Sequence, residues 1–179
     1  MNQELIKERE ALGIIANLFR EFKIGSLLNL ANISRTKGAT PLELFTIIFN
    51  LCFQGKNLFE GVIRNKWIEL NKRHIYGFLN NPYYNWRKLL FLFSTRIYLI
   101  FRGLNSNPDE EVLIVDDSPY DRSRSKFVEL LAKVFDHNSK KYIKGFRTLT
   151  LGWSDGNSFL GLDFALLSSP KEENRYCAA

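Results

Sequence analysis

The spacing of apolar residues changes once along this chain, at "NSNPDEE" (105–111), and that change constrains the fold more than any other feature. The segment is dense in turn formers and acids, which interrupt regular structure rather than extend it. Before it the apolar period is helical. Residues 3–30 place Leu5, Ile6, Leu12, Ile15, Leu18, Phe19 and Phe22 on such a pattern. In "ISRTKGATPLELFTIIFNLCF" (33–53) a loop leads to Thr40 as N-cap, Pro41 at the first helical position and Glu43 as the acidic partner of a capping box. Leu42, Leu44, Phe45, Ile48 and Phe49 carry that helix into a core, and Cys52 is expected there too. Further helices are expected over 57–66, 71–81 and about 84–104, the last stopping near Gly103.

After the interruption the pattern turns to strands. "VLIVD" (112–116) is a continuous apolar run suited to a central strand covered on both faces. "SKFVELLAKVF" (125–135) returns to a helical stripe of Phe127, Leu130, Leu131 and Val134. "KYIKGFRTLTLGWS" (141–154) and "SFLGLDFALLS" (158–168) are β-rich and joined by "DGN" (155–157), a strong hairpin signal. The expected fold class is α+β: an all-helical half over 1–108, then an α/β unit over 109–179.

Charge divides along the same line. Residues 1–108 hold 15 Lys/Arg against 7 Asp/Glu, whereas 109–179 hold 10 against 12. The imbalance is sharpest where Arg64, Lys66, Lys72, Arg73, Arg87 and Lys88, with Arg96 and Arg102, face only Glu69. A basic half beside a nearly neutral one points to a polyanion partner, nucleic acid before others. The alternative is a solvated basic face with no partner.

Two cysteines, Cys52 and Cys177, make neither a disulfide framework nor a multi-thiolate metal site. "MNQELIKERE" is charged and lacks the apolar stretch of a secretory signal. "LLFLFSTRIYLIF" (89–101) carries Arg96 and falls short of the roughly 20 apolar residues a membrane span needs. It reads as a buried helix, and the expected compartment is the cytoplasm, with no membrane partner. No Gly-rich phosphate loop, zinc spacing or Ser-His-Asp arrangement is present.

The chemistry-bearing feature is the pair Asp116 and Asp117 at the end of the apolar run. A strand that ends in a carboxylate is a common holder of Mg²⁺, a hard cation that takes oxygen ligands. In two-metal phosphoryl transfer, clustered carboxylates clamp ions about 4 Å apart. Equally, either Asp can cap the turn through "DSPYDRS". Neighbours in a strand point to opposite faces, so one can be a ligand while the other caps.

"VLIVDDSPYDRSRSKFVELLAKVFDHNSKKYIKGFRTLTLGWSDGNSFLGLDFALLSS" resembles the start of the catalytic domain of bacterial insertion-sequence transposases of the DDE type, in the group related to the insertion-sequence-four family. "KRHIYGFLNNPYYNWRKLL" resembles the helical segment before that domain, and the likeness covers roughly residues 35–169. The resemblance implies an RNase H-like core, Mg²⁺-dependent cleavage and joining of DNA strands at transposon ends, and action as a DNA-bound dimer. It places the first catalytic Asp and metal ligand on Asp117, which precedes Ser118, with Asp116 as its neighbour. The hairpin of 141–168 becomes the second and third strands, and the basic helical half binds the ends through phosphates. The family's second Asp and its Glu have no counterparts before "SSPKEENRYCAA", since Asp163 and Glu173 are not placed to replace them. The expectation is a truncated, catalytically incomplete transposase-like chain that binds DNA. The alternative is a non-catalytic regulator that pairs with itself or with a full-length transposase. A partial sheet is further expected to leave an edge or an apolar face uncovered.

Overall fold

The computed structural model describes residues 13–59, 61, 72–104 and 111–176. They form a mixed α+β chain, helices first and a four-stranded antiparallel sheet after. Two compact units divide it, residues 1–93 and 94–179.

In the first unit, helical residues 13–21 (α1) precede α2 (Ile24–Leu30), α3 (Pro41–Gln54) and α4 (Lys72–Leu79). The long α5 (Trp86–Leu104) starts here, and its residues 94–104 belong to the second unit. The single helix expected over 3–30 is broken at residues 22–23, where Lys23 takes the left-handed conformation at φ 50°. Residues 3–12 lie outside the described residues, as does most of the 57–66 segment, of which 58, 59 and 61 are helical. Phe19, Ile24, Leu27, Leu28, Leu44, Ile75, Phe78 and Leu89 are buried together as one core. Phe78 meets Tyr84 and Trp86 edge-on at 5.6 and 5.2 Å, which ties α4 to the start of α5. The Tyr84 hydroxyl donates to the Ser34 carbonyl at 2.7 Å, fixing the loop after α2. Cys52 is exposed rather than in the core.

The capping box of α3 forms as expected. The Glu43 N–H donates to Thr40 Oγ1 at 3.2 Å, and the Thr40 N–H donates to Glu43 Oε2 at 2.6 Å. Removing the hydroxyl in Thr40→Ala should cost about 1 kcal/mol, read as a lower urea midpoint with an unchanged slope. The Thr40 backbone N–H, and then its hydroxyl, hold the Glu43 carboxyl below its ordinary value. In the second unit the Ser139 hydroxyl and the Asn138 N–H lower Asp136 in the same way. Both folded-state values are depressed, so both contributions are complete above the ordinary carboxylate range. They are lost as pH falls through the lowered values. Stability should therefore decline on the acid side below about pH 4.5, less steeply in Glu43→Gln, and a series of urea melts against pH measures it.

The second unit is built on one long strand. β3 (Lys141–Ser154) pairs antiparallel with β1 (Val112–Asp121) along one side, Val112 opposite Ser154 and Asp121 opposite Gly145. On its other side β2 (Ala132–Asp136) pairs with residues 141–145, and β4 (Phe159–Leu167) pairs with residues 147–154. The expected hairpin is present, and Gly156, at φ 83°, takes the left-handed position in its turn. Asp155 instead accepts the N–H groups of Asn157 and Ser158 at 3.1 and 2.6 Å. Trp153 is buried and meets Tyr98 of α5 edge-on at 5.2 Å, with Phe101 stacked at 6.4 Å. Glu111 fastens this contact: Tyr98 Oη donates to it at 3.1 Å and Trp153 Nε1 at 3.2 Å, with Arg102 3.6 Å away.

Two expectations fail here. Residues 125–135 are not a helix: Phe127 is 92% exposed, and Ala132 and Val134 are buried while Lys133 and Phe135 point outward. That alternation of period 2 follows from pairing with β3, which overrides the local helical stripe. Nor is the 112–116 run a central strand covered on both faces. β1 extends to Asp121, Leu113 and Val115 are exposed, and among the described residues it pairs only with β3. Pro119 within it has no N–H to give, which suits an edge position.

Among the described residues no helix is long and apolar enough to cross a membrane.

Candidate functional site

Asp116 and Asp117 lie inside β1 rather than at its end, because the strand runs on to Asp121. Strand geometry sends them to opposite faces. Asp116 shares its face with Ser118, whose hydroxyl donates to Asp116 Oδ2 at 2.5 Å. Asp117 shares its face with Arg147, which stands opposite Pro119 on β3 and so lies diagonally across the strand pair. Arg147 Nε donates to Asp117 Oδ1 at 3.1 Å, and Arg147 Nη2 pairs with Oδ2, a two-point clamp. Neither carboxylate caps a turn. That role falls to Asp121, which accepts the Ser123 N–H at 2.7 Å.

Asp117 and Arg147 open onto a cavity of about 230 Å³, to which β2 contributes Lys133, Val134 and Phe135, with His137, Pro119, Ser169 and Pro170 completing the lining. These residues do not fit Mg²⁺. The cation needs several oxygen ligands in near-octahedral array, whereas Asp117 already holds a guanidinium and Asp116 faces the other way. Among the described residues no group of three or more His, Cys, Asp and Glu side chains is placed to hold a metal ion.

The Asp117 side chain is 33% exposed and that of Arg147 49%, so water screens the pair and its value is modest despite the good geometry. A double-mutant cycle of Asp117→Ala and Arg147→Ala should give a coupling of about 0.5–1 kcal/mol in unfolding free energy. Additive effects would show that the clamp adds nothing measurable to stability.

Of the basic residues singled out in the sequence, Arg64 and Lys66 lie outside the described residues. Lys72 and Arg73 are exposed on α4, and Lys72 Nζ sits 5.4 Å from the centre of the Tyr76 ring. Arg87 and Lys88 are exposed in the first turn of α5, where the Asn85 side chain caps the helix by accepting the Lys88 N–H at 2.8 Å. Arg87 and Lys88 thus stand at the start of α5, adding to the positive end of its backbone dipole. They cost that helix some stability and favour an anion nearby.

Arg147 escaped the sequence reading, because its role depends on the register of β1 against β3. Glu111 escaped as well, since it reads as one more acid of the "NPDEE" interruption. The signal available for Arg147 was alternation alone: in "KYIKGFRTLTLGW" it falls on the same side as Leu149, Leu151 and Trp153.

No known protein family, curated protein or solved structure matches this chain.

Proposed function

We propose that this chain is a transposase-like DNA-binding protein of the DDE insertion-sequence class, acting in the cytoplasm on transposon-end DNA. The observation that carries the reading is the order of the second unit. An antiparallel succession β1–β3–β4 carries Asp117, followed by Ser118, on its first strand, behind a basic helical unit. In an RNase H-like reading these are the first three strands of the core, and β2 is a short addition to the edge of β3. The helical unit contacts phosphates through Lys72, Arg73, Arg87 and Lys88, with Arg64 and Lys66 as further candidates. Association with itself or with a full-length transposase belongs to the same reading.

The clamp on Asp117 favours a non-catalytic role within it: a carboxylate held by arginine gives up no ligand position until that arginine leaves. A regulator that joins an intact transposase and withholds a competent site fits this arrangement. Adding the protein to an active relative should then lower strand transfer in proportion to the mixed dimers formed. An unchanged rate would remove the regulatory variant alone.

The broader reading is tested by titrating a labelled duplex with the full chain. Binding at low salt should weaken about a hundredfold between roughly 50 and 200 mM salt if four phosphates are neutralised. No binding at the lower concentration would overturn it.

A further inference from the structure

The face of the sheet opposite to Asp117 carries a second arrangement, which meets the Asp117 cavity only at Lys133 and Phe135 of β2. Directly opposed residues of antiparallel strands share a face, so Tyr120 and Phe146, Lys133 and Lys144, and Phe135 and Tyr142 all lie on the same side. This is the side away from Arg147 and Trp153. None of these six residues is acidic; the carboxylate that shares their face, Asp116, lies four residues along β1 from Tyr120 and accepts the Ser118 hydroxyl. Phe146 is buried and forms the floor, while Tyr142 is 62% and Tyr120 51% exposed. Tyr176 joins them from the C-terminal segment: its N–H donates to the Leu131 carbonyl at 2.8 Å, and Arg175 bridges to Ala132. Its ring is 52% exposed.

Each open tyrosine carries a cation. Arg122 lies 5.0 Å from the centre of the Tyr120 ring, Lys133 4.6 Å from that of Tyr142 and Lys144 4.8 Å from that of Tyr176. Phe135 stands edge-on to Tyr142 at 5.2 Å, which holds that ring upright on the sheet. Exposed rings alone would suit many apolar partners, and cations alone would suit any polyanion. The alternation of both on a rigid strand floor fits a ligand that alternates flat apolar rings with negative charges.

We infer that this face binds single-stranded nucleic acid, with bases stacking on Tyr142, Tyr176 and Tyr120 and phosphates paired with Lys133, Lys144 and Arg122. A base that settles on one of these rings displaces the cation lying over it. That cation stays within one side chain's reach of the phosphate next to the stacked base, so the exchange keeps both interactions. A duplex does not fit, because its bases are already stacked on one another and present only edges and backbone. The inference stands on residues separate from the basic helical unit and does not depend on the proposed function.

The experiment compares three probes on the full chain: an oligothymidylate of about 12 nucleotides, within the usual site size, an abasic phosphodiester oligomer of equal length, and the corresponding duplex. The oligothymidylate should bind at least about tenfold more tightly than the abasic chain, the scale of one base stack. Tyr142→Ala with Tyr176→Ala should abolish that preference, whereas Tyr142→Phe should keep it. Ultraviolet cross-linking of the unaltered protein should label peptides containing Tyr142 or Tyr176, a readout independent of how the variants fold. Equal affinity for the abasic chain would overturn the inference. So would a preference that survives both alanine substitutions, or cross-links confined to residues 1–93. Duplex binding with none to the single strand would overturn it while leaving the proposed function standing.

Discussion

Replacing Trp153 with alanine should destabilise the second unit by about 3–5 kcal/mol. This side chain is 3% exposed and holds residues 94–104 of α5 on the sheet through Tyr98 and Phe101. Two losses add. The cavity removes the apolar contacts, and the indole N–H no longer reaches Glu111, leaving that carboxylate with fewer donors. Measured against a typical domain stability of about 5–15 kcal/mol, the change is large enough to leave much of the unit unfolded at moderate urea. Phe127→Ala is the matched control, because its ring is 92% exposed and its loss should change stability by less than about 0.5 kcal/mol. Far-ultraviolet circular dichroism during urea titration reads both. Equal midpoints for the two variants would mean that α5 does not rest on Trp153.

Gly145→Ala should be nearly as damaging, at about 3 kcal/mol, through the opposite fault of too much matter rather than too little. Gly145 is where β3 is flanked by the end of β1 and the start of β2 at once, opposite Asp121 and Ala132. A Cβ placed there would collide with the Tyr120 carbonyl oxygen and come within 3.3 Å of the Arg122 nitrogen. Both obstacles are backbone, so relief requires β1 to move. That movement would also strain the hydrogen bond from the Arg122 N–H to the Lys144 carbonyl, now 2.8 Å. Gly161→Ala is the control, since nothing lies within 4 Å of its added methyl. A melt in which the two alanine variants coincide would contradict the packing of β1 against β3.

What could be read from the sequence depended on how local each feature was. The helix beginning at Thr40 was legible because its cap, its proline and its capping box are all contained in four residues. The hairpin of β3 and β4 was legible because Asp155 and Gly156 specify the turn between two apolar runs. β2 was hidden: Phe127, Leu130, Leu131 and Val134 have helical spacing, and only pairing with residues 141–145 makes Ala132 and Val134 the buried positions. The break at Phe22–Lys23 was hidden for the same reason, since nothing in a lysine advertises a positive φ. At the candidate site, Asp117 was visible and Arg147 was not. Their meeting depends on a register between strands some thirty residues apart, which no short pattern records. The two carboxylates looked mutually repulsive in sequence. In the sheet they are separated by the strand itself, one held by Ser118 and the other by Arg147.

That separation gives the carboxylate pair a structural explanation, and the DNA-binding part of the proposal rests on the cations. Lys72 and Arg73 on α4 and Arg87 and Lys88 at the start of α5 are exposed, and the proposed reading requires them to neutralise phosphates. The direct test is the slope of log affinity against log salt for a short duplex, measured on the unaltered chain and on one with all four residues changed to glutamine. Each lost phosphate contact lowers the slope by about 0.9, so the variant should be shallower by about 3 to 4. A slope unchanged by the four substitutions would contradict the account.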